Sequence, residues 1–228
     1  MKHSRLTALL TGCALLFGAA TFAMADDTKK DKKHDKAADA TDTKEKRVKV
    51  GEQVPNFSMT DVNGKTMQFS DFSGKTVVME WVNPGCPVCV AVTKGGLVTK
   101  MIADAKAIDP NVVFVMVNST AATANDPKAT ATYLAEHKVM ANAEVIDGSG
   151  VIGKMFDAKT TPAVYVIDSK GTLVYGGAFD DSSDRGSTPG KTNYVINALT
   201  QLKAGEKVSP DKTKSYGCGV KYAKSQNG

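Results

Sequence analysis

Cys86-Pro87-Val88-Cys89 directly follows an almost unbroken apolar run, Val77 to Val82. If a helix begins at this box, Cys86 takes its cap and Pro87 its first position, where a missing N–H costs nothing. Unpaired backbone N–H groups and the positive end of the helix dipole then favour thiolate over thiol at Cys86. Cys89, three residues on, lies one turn away on the same side. It can attack a mixed disulfide formed at Cys86, releasing the substrate and leaving an internal disulfide, as two-electron dithiol exchange requires. A purely structural disulfide across so short a loop would remove little unfolded-state entropy. Zinc needs four ligands. Beyond residue 25 the chain offers three cysteines and two histidines, with His34 in a polar stretch and His137 on a predicted helix. Dithiol exchange needs no bound cofactor or metal; a module that holds copper through the same sulfurs is the non-enzymatic alternative.

Three further positions belong with this box. Glu80 lies inside the apolar run, between Met79 and Trp81, and a carboxylate is expensive to bury there. It is either a strand-edge charge reaching solvent or a desolvated carboxyl of raised pKa that passes protons to and from Cys89. Thr161-Pro162 opens a later strand; an X-Pro bond is cis in only about 5–6% of cases in folded proteins, which on that ground alone reads as trans. Cys218 stands between two glycines near the C-terminus. It is either a spare thiol on a tail or a redox partner, since an unpaired exposed cysteine is a liability in an oxidising space.

The elements that must position these residues follow from periodicity. Val77–Val82 and a second run, Val112–Val117, suit strands covered on both faces. Between them Leu97, Met101, Ile102, Ala105 and Ile108 recur at helical spacing, and strand, helix, strand implies a right-handed parallel crossover. Gly95-Gly96 breaks the helix expected after Cys89. Asn63-Gly64, followed by alternating Met67 and Phe69, predicts an N-terminal hairpin. Pro127–His137 reads as a helix, Glu144–Ile146 as a short strand and Gly150–Phe156 as a short helix. Ala163–Ile167 and Thr172–Tyr175 flank a turn at Asp168-Ser169-Lys170-Gly171, and Val195, Ile196, Leu199 and Leu202 mark a last helix between an Asn193 cap and a Gly205 stop. The expected architecture is α/β, a mixed central sheet with helices on both faces, over residues 48–205, followed by a tail, 206–228, that carries Cys218.

The beginning of the chain speaks to compartment. Lys2 and Arg5 precede an apolar or small run from Leu6 to Ala23, ending in Ala23-Met24-Ala25. This reads as an export signal cleaved after Ala25, leaving no membrane span in the mature form and discarding Cys13. Residues 26–47 mix Lys and Asp without an apolar period and read as a disordered tether. Of the net charge of +5, residues 1–50 carry +4, because residues 51–228 hold 18 cations against 17 carboxylates. A domain so nearly neutral is not built to neutralise many phosphates, so nucleic acid is not an expected partner. Export places the chain in the periplasm, where disulfides form.

The residues of the globular part resemble the thioredoxin-like superfamily, especially the exported TlpA-type thiol-disulfide oxidoreductases and their alkyl hydroperoxide reductase and thiol-specific antioxidant relatives. The likeness covers about residues 48–204 and rests on Gly51, Pro55 and Phe57, on Asp71-Phe72-Ser73-Gly74-Lys75, on the Cys-Pro-Val-Cys box, and on Thr161-Pro162 before Val164-Tyr165-Val166. It implies a thioredoxin fold, Cys86 as nucleophile, Cys89 as resolving thiol, Glu80 as the buried acid and Pro162, preceded by Thr161, as a cis-proline facing the dithiol. Substrates would be thiols or disulfide-containing proteins, served by an unidentified reductant or oxidant. Peroxiredoxins carry a proline and a threonine where Met79 and Asn83 stand here, which departs from dedicated peroxide reduction. Asn83-Pro84-Gly85-Cys86-Pro87 together with Tyr216-Gly217-Cys218-Gly219 also looks like exported redoxin-domain proteins that pair the strand-end cysteine with a C-terminal one. Cys218 is thereby a second candidate resolving thiol.

Overall fold

A computed structural model describes residues 47–224. The export signal read over 1–25 and all but the last residue of the tether lie outside the described residues. The chain begins with β1 (Ser58–Thr60) and β2 (Thr66–Gln68), an antiparallel hairpin in which Met59 faces Met67. Its turn is built by Asp61, whose carboxylate accepts the amides of Asn63 and Lys65 at 2.9 and 2.8 Å, and by Gly64 at φ 81°. The alternation stops earlier than its sequence pattern suggests. Phe69 opens a 3₁₀ turn, Phe69–Phe72, because Asp71 turns back to accept the Gln68 amide at 2.9 Å and the Phe69 ring stacks on Phe57.

Next come β3 (Val77–Trp81), α1 (Pro87–Lys94), α2 (Leu97–Ile108) and β4 (Val113–Asn118). Both strands are buried along their whole length and pair in parallel, as the crossover requires. Helix α2 spans the residues its apolar period marks, and Gly96 caps it in the left-handed conformation at φ 76°, which favours glycine. A four-residue helix, α3 (Ala121–Ala124), has no apolar period to announce it. Then follow α4 (Pro127–Glu136), with Pro127 at its first position and Asp126 accepting the Ala129 amide, and β5 (Ala143–Ile146). The remaining elements are α5 (Val151–Met155), β6 (Thr160–Thr161), β7 (Ala163–Ile167), β8 (Leu173–Gly177), α6 (Tyr194–Lys203) and β9 (Cys218–Gly219). Asn193 caps α6 by accepting the amides of Val195 and Ile196.

The central sheet has the order β5-β4-β3-β7-β8, three parallel strands continued by two antiparallel ones. Successive side chains of a strand point to opposite faces. Val78 and Val82 of the β3 segment therefore join Val92, Met101, Leu134 and Leu199 from the helices on one face, with Cys86 and Cys89 in the same cluster. Val77, Met79 and Trp81 join Met59, Phe69, Ile152 and Phe156 on the other. This is a thioredoxin fold, an α/β mixed sheet with helices on both faces and the hairpin at its N-terminal end.

The C-terminal segment returns to this body. Val208 is buried in the helix-side core. Strand β9 pairs antiparallel with β6, setting Thr161 opposite Cys218, and the Val220 and Ala121 amides bond to Lys159 and Lys221 carbonyls. Among the described residues no helix is long and apolar enough to cross a membrane.

Candidate functional site

Strand β3 delivers the chain to Asn83, and a tight turn delivers it to the helix. The Asn83 side chain accepts the Gly85 amide at 2.9 Å, and its carbonyl accepts the Cys86 amide at 3.0 Å. Cys86 thus arrives extended, at φ −94° and ψ 115°, as the cap of α1, with Pro87 first in the helix. Its Sγ accepts the Cys89 amide at 3.5 Å and, as a thiol, donates to the Thr161 carbonyl at 3.2 Å. Cys86 is 0% exposed and Cys89 1%. The Thr161–Pro162 bond is cis.

The environment polarises the sulfurs in opposite directions. Hydrogen bonding from the Cys89 side chain holds the Cys86 thiol down at about 4, helped by Cys218, the Cys89 amide and Thr161, against the opposing effect of burial. The Thr161 hydroxyl is buried with no hydrogen-bond partner, and the Thr161 side chain is among the groups that lower that sulfur. Burial pushes the Cys89 thiol well above its ordinary range, and the nearby charges of Cys86 and Glu80 add to the effect. The two sulfurs are thus biased oppositely, Cys86 toward the thiolate and Cys89 toward the proton-bearing thiol.

Glu80 lies on β3 in phase with Val78 and Val82, so its side chain is on the cysteine face of the sheet. It is 1% exposed, its Oε2 has no hydrogen-bond partner, and burial raises its carboxyl to about 8. Of the two sequence readings, a desolvated carboxyl fits this position and a strand-edge charge does not. Thr93, one turn beyond Cys89 on α1, shares a buried hydrogen bond of 2.6 Å with Tyr133 of α4.

Cys218 approaches from the opposite side, on β9. It is partly buried, and burial followed by its hydrogen bond to Cys86 raises its thiol, while Arg185 acts the other way. The site therefore gathers Cys86, Cys89, Cys218, Thr161 and Pro162 at the junction of β3, α1, β6 and β9, with Glu80 on the same face of the sheet and acting on Cys89 through its charge. Sequence reasoning passed over Arg185 and Asp180, and it quoted Tyr216 and Gly217 only as part of a motif, without the contacts that make this junction possible. Gly217 has φ 126°, and a Cβ there would lie 2.0 Å from the Thr161 carbonyl oxygen. Arg185 donates to the Gly217 carbonyl at 2.8 Å, and Tyr216 donates to Asp180. The one signal for them in the sequence is the glycine before Cys218. Among the described residues no group of three or more His, Cys, Asp or Glu side chains could hold a metal ion.

Known proteins share this frame. A 47-residue stretch is 38% identical to the thiol-disulfide oxidoreductase ResA of Bacillus thuringiensis subsp. konkukian (strain 97-27), covering 21% of this chain and 27% of that protein. The ResA of Bacillus cereus (strain ATCC 10987 / NRS 248) is 36% identical over an equal length. The chain thus spans about a quarter of the length of the curated relatives it matches. Among solved structures, an uncharacterized conserved protein from Geobacillus kaustophilus superposes with a TM-score of 0.66 at 26% identity, covering 78% of this chain and 94% of that one. A hypothetical protein from Sinorhizobium meliloti 1021 superposes with a TM-score of 0.64 at 21% identity, covering 77% and 96%. The Redoxin family model matches residues 49–195, more than half of the sequence, and the chain belongs to the Redoxin family.

Proposed function

We propose that this chain is an exported, periplasmic thiol-disulfide oxidoreductase that exchanges disulfides with protein or small-thiol substrates through Cys86. The observation that carries the reading is the sulfur of Cys86 at the cap of α1, held ionised at about 4 beside a Cys89 thiol held protonated. Cys86 attacks a substrate disulfide, one substrate thiolate departs, and Cys89 or Cys218 attacks the resulting mixed disulfide and expels the other. Glu80, uncharged below its raised pKa, gives and takes the proton of Cys89. Thr161 and Pro162 line the approach to Cys86. The cycle is closed by an external reductant or oxidant, and its direction follows from the reduction potential of the protein pair. The domain layout that goes with this role is a cleaved signal at 1–25, a tether at 26–47, the catalytic domain at 48–205 and the Cys218-bearing segment at 206–228. The partial likeness to ResA supports the same chemistry.

The test is Cys86→Ser in the mature chain. Turnover of a small disulfide is expected to fall by about three orders of magnitude or more, and turnover that survives the change overturns the assignment. A second reading, thiol peroxidase, is favoured by one observation: a fully buried sulfur whose thiol is held low is more accessible to a slender oxidant than to a protein disulfide. In that reaction Cys86 thiolate takes the distal oxygen of a hydroperoxide, an alkoxide leaves and takes up a proton, and a thiol condenses with the sulfenic acid to release water. Peroxide consumption dependent on Cys86 and far faster than that of free cysteine selects this reading.

A further inference from the structure

The segment that carries Cys218 is held by a platform with no part in the dithiol box itself. Residues 180–190 fold on their own carboxylates. Asp180 accepts the Gly190 amide at 2.8 Å, and Asp184 accepts the Thr188 amide, the Thr188 hydroxyl and the Ser182 hydroxyl at 3.0, 2.7 and 2.7 Å. The platform makes two polar contacts with the segment: the Tyr216 hydroxyl donates to Asp180, and Arg185 Nη2 donates to the Gly217 carbonyl. Arg185 does so from a left-handed backbone at φ 60°, a conformation that costs a non-glycine residue free energy. Gly186 follows at φ 85°, and a Cβ there would meet Val92 of α1 at 2.2 Å, so the turn is pressed onto the helix that Cys86 caps. Its guanidinium is also close enough to Cys218 to favour the thiolate there.

We propose that Arg185 is a positioning residue for disulfide exchange: it docks β9 and sets Cys218 as the thiol that first resolves a mixed disulfide on Cys86. The proposal rests on Cys86 as the attacking sulfur. The Arg185 hydrogen bond fixes Gly217, whose close approach to the Thr161 carbonyl puts Cys218 in register with Thr161, the residue whose carbonyl contacts Cys86. The step balances as follows. Cys86 thiolate attacks one sulfur of a substrate disulfide, the S–S bond breaks, and the first substrate thiolate leaves and takes a proton from water. Cys218 loses its proton to solvent, its thiolate attacks Cys86 Sγ, the Cys86–Cys218 bond forms, and the second substrate thiolate is expelled. Two electrons pass from two protein thiols to the substrate. Cys89, buried on the core side of helix α1 and carrying its proton, exchanges afterwards.

The experiment mixes the reduced mature chain with 2-hydroxyethyl disulfide, quenches with acid at intervals, alkylates the remaining thiols and maps the pairs by mass spectrometry. It compares the wild type with Arg185→Ala and Arg185→Lys over a range of pH. All three are expected to form the Cys86 mixed disulfide, and the rate of the second step is read from its appearance onward. In the wild type the first internal pair is Cys86–Cys218. Arg185→Ala slows its formation about tenfold, the size expected for one charge-assisted hydrogen bond at an exposed site, and moves the pH profile of that step upward. Arg185→Lys restores most of the profile because it keeps the charge. A first pair of Cys86–Cys89 in the wild type, or an Arg185→Ala protein with unchanged rate and profile, overturns the proposal. So does an Arg185→Lys protein no better than Arg185→Ala. Absence of any mixed disulfide on Cys86 overturns the reading of Cys86 itself, and this proposal with it.

Discussion

Helix α1 and strand β9 bring a thiol to the same sulfur by different means. Cys89 is placed by covalent geometry, one helical turn from Cys86 in a core that excludes water. Cys218 is placed by a two-residue strand, a left-handed glycine and an arginine reaching from a surface loop. The first arrangement is fixed within one helix, on the face of the sheet that also buries the Glu80 carboxyl. The second opens wherever the short β6–β9 pairing opens and exchanges its proton with solvent. One nucleophile thus has an internal partner and an external one, and variants can remove either without the other.

The largest effect on the internal partner belongs to Glu80→Gln. Loss of a general acid–base costs about a hundredfold or more, seen as slow formation of the Cys86–Cys89 pair with Cys86–Cys218 formation unchanged. The same variant has a stability signature. The Glu80 carboxyl is raised from 4.5 to about 8 in the fold, so its contribution is complete below the unfolded pKa and is lost as pH rises through about 8. Cys86, lowered from 9 to about 4, acts with the opposite sign: its contribution is present above pH 9 and is lost as pH falls through about 4. Between pH 5 and pH 9 the two groups act oppositely, so in denaturant unfolding the stability at pH 9 relative to pH 5 is expected to be higher in Glu80→Gln than in the wild type.

The external partner is broken by Gly217→Ala. The new Cβ has no room against the Thr161 carbonyl and the backbone there is left-handed, so β9 is expected to undock. Alkylation of Cys218 should quicken about tenfold, reporting a local opening free energy rather than global unfolding, and the Cys86–Cys218 pair should become rare. Smaller still is Tyr133→Phe. It leaves the Thr93 hydroxyl without its buried partner and is expected to cost about 1–2 kcal/mol in a denaturant melt, with no effect on exchange at Cys218.

The asymmetry between the two regions also decides what could be read in the sequence. Helix α2 and strands β3 and β4 were legible because each is long enough to show its period or its unbroken apolar run. The side of the sheet on which Glu80 lies follows from a period of two along β3. Strand β9 has two residues and no period, and it pairs with a segment more than fifty positions earlier, so it is defined by long-range contacts such as the closeness of Gly217 to Thr161. Arg185 carried no signal, because a loop residue chosen for a left-handed backbone and one hydrogen bond looks like any other charged loop residue. The 3₁₀ turn at Phe69 and the short α3 were hidden similarly, since a single carboxylate or a few residues determine them.

The central claim is that Cys86 is ionised where an ordinary thiol is not. Its most direct test is the ultraviolet thiolate absorbance of the reduced chain against pH, with Cys86→Ser subtracted as the blank. The account predicts one thiolate that titrates with a midpoint near 4 and is fully formed at neutral pH. A difference curve with its midpoint near 9 would contradict it.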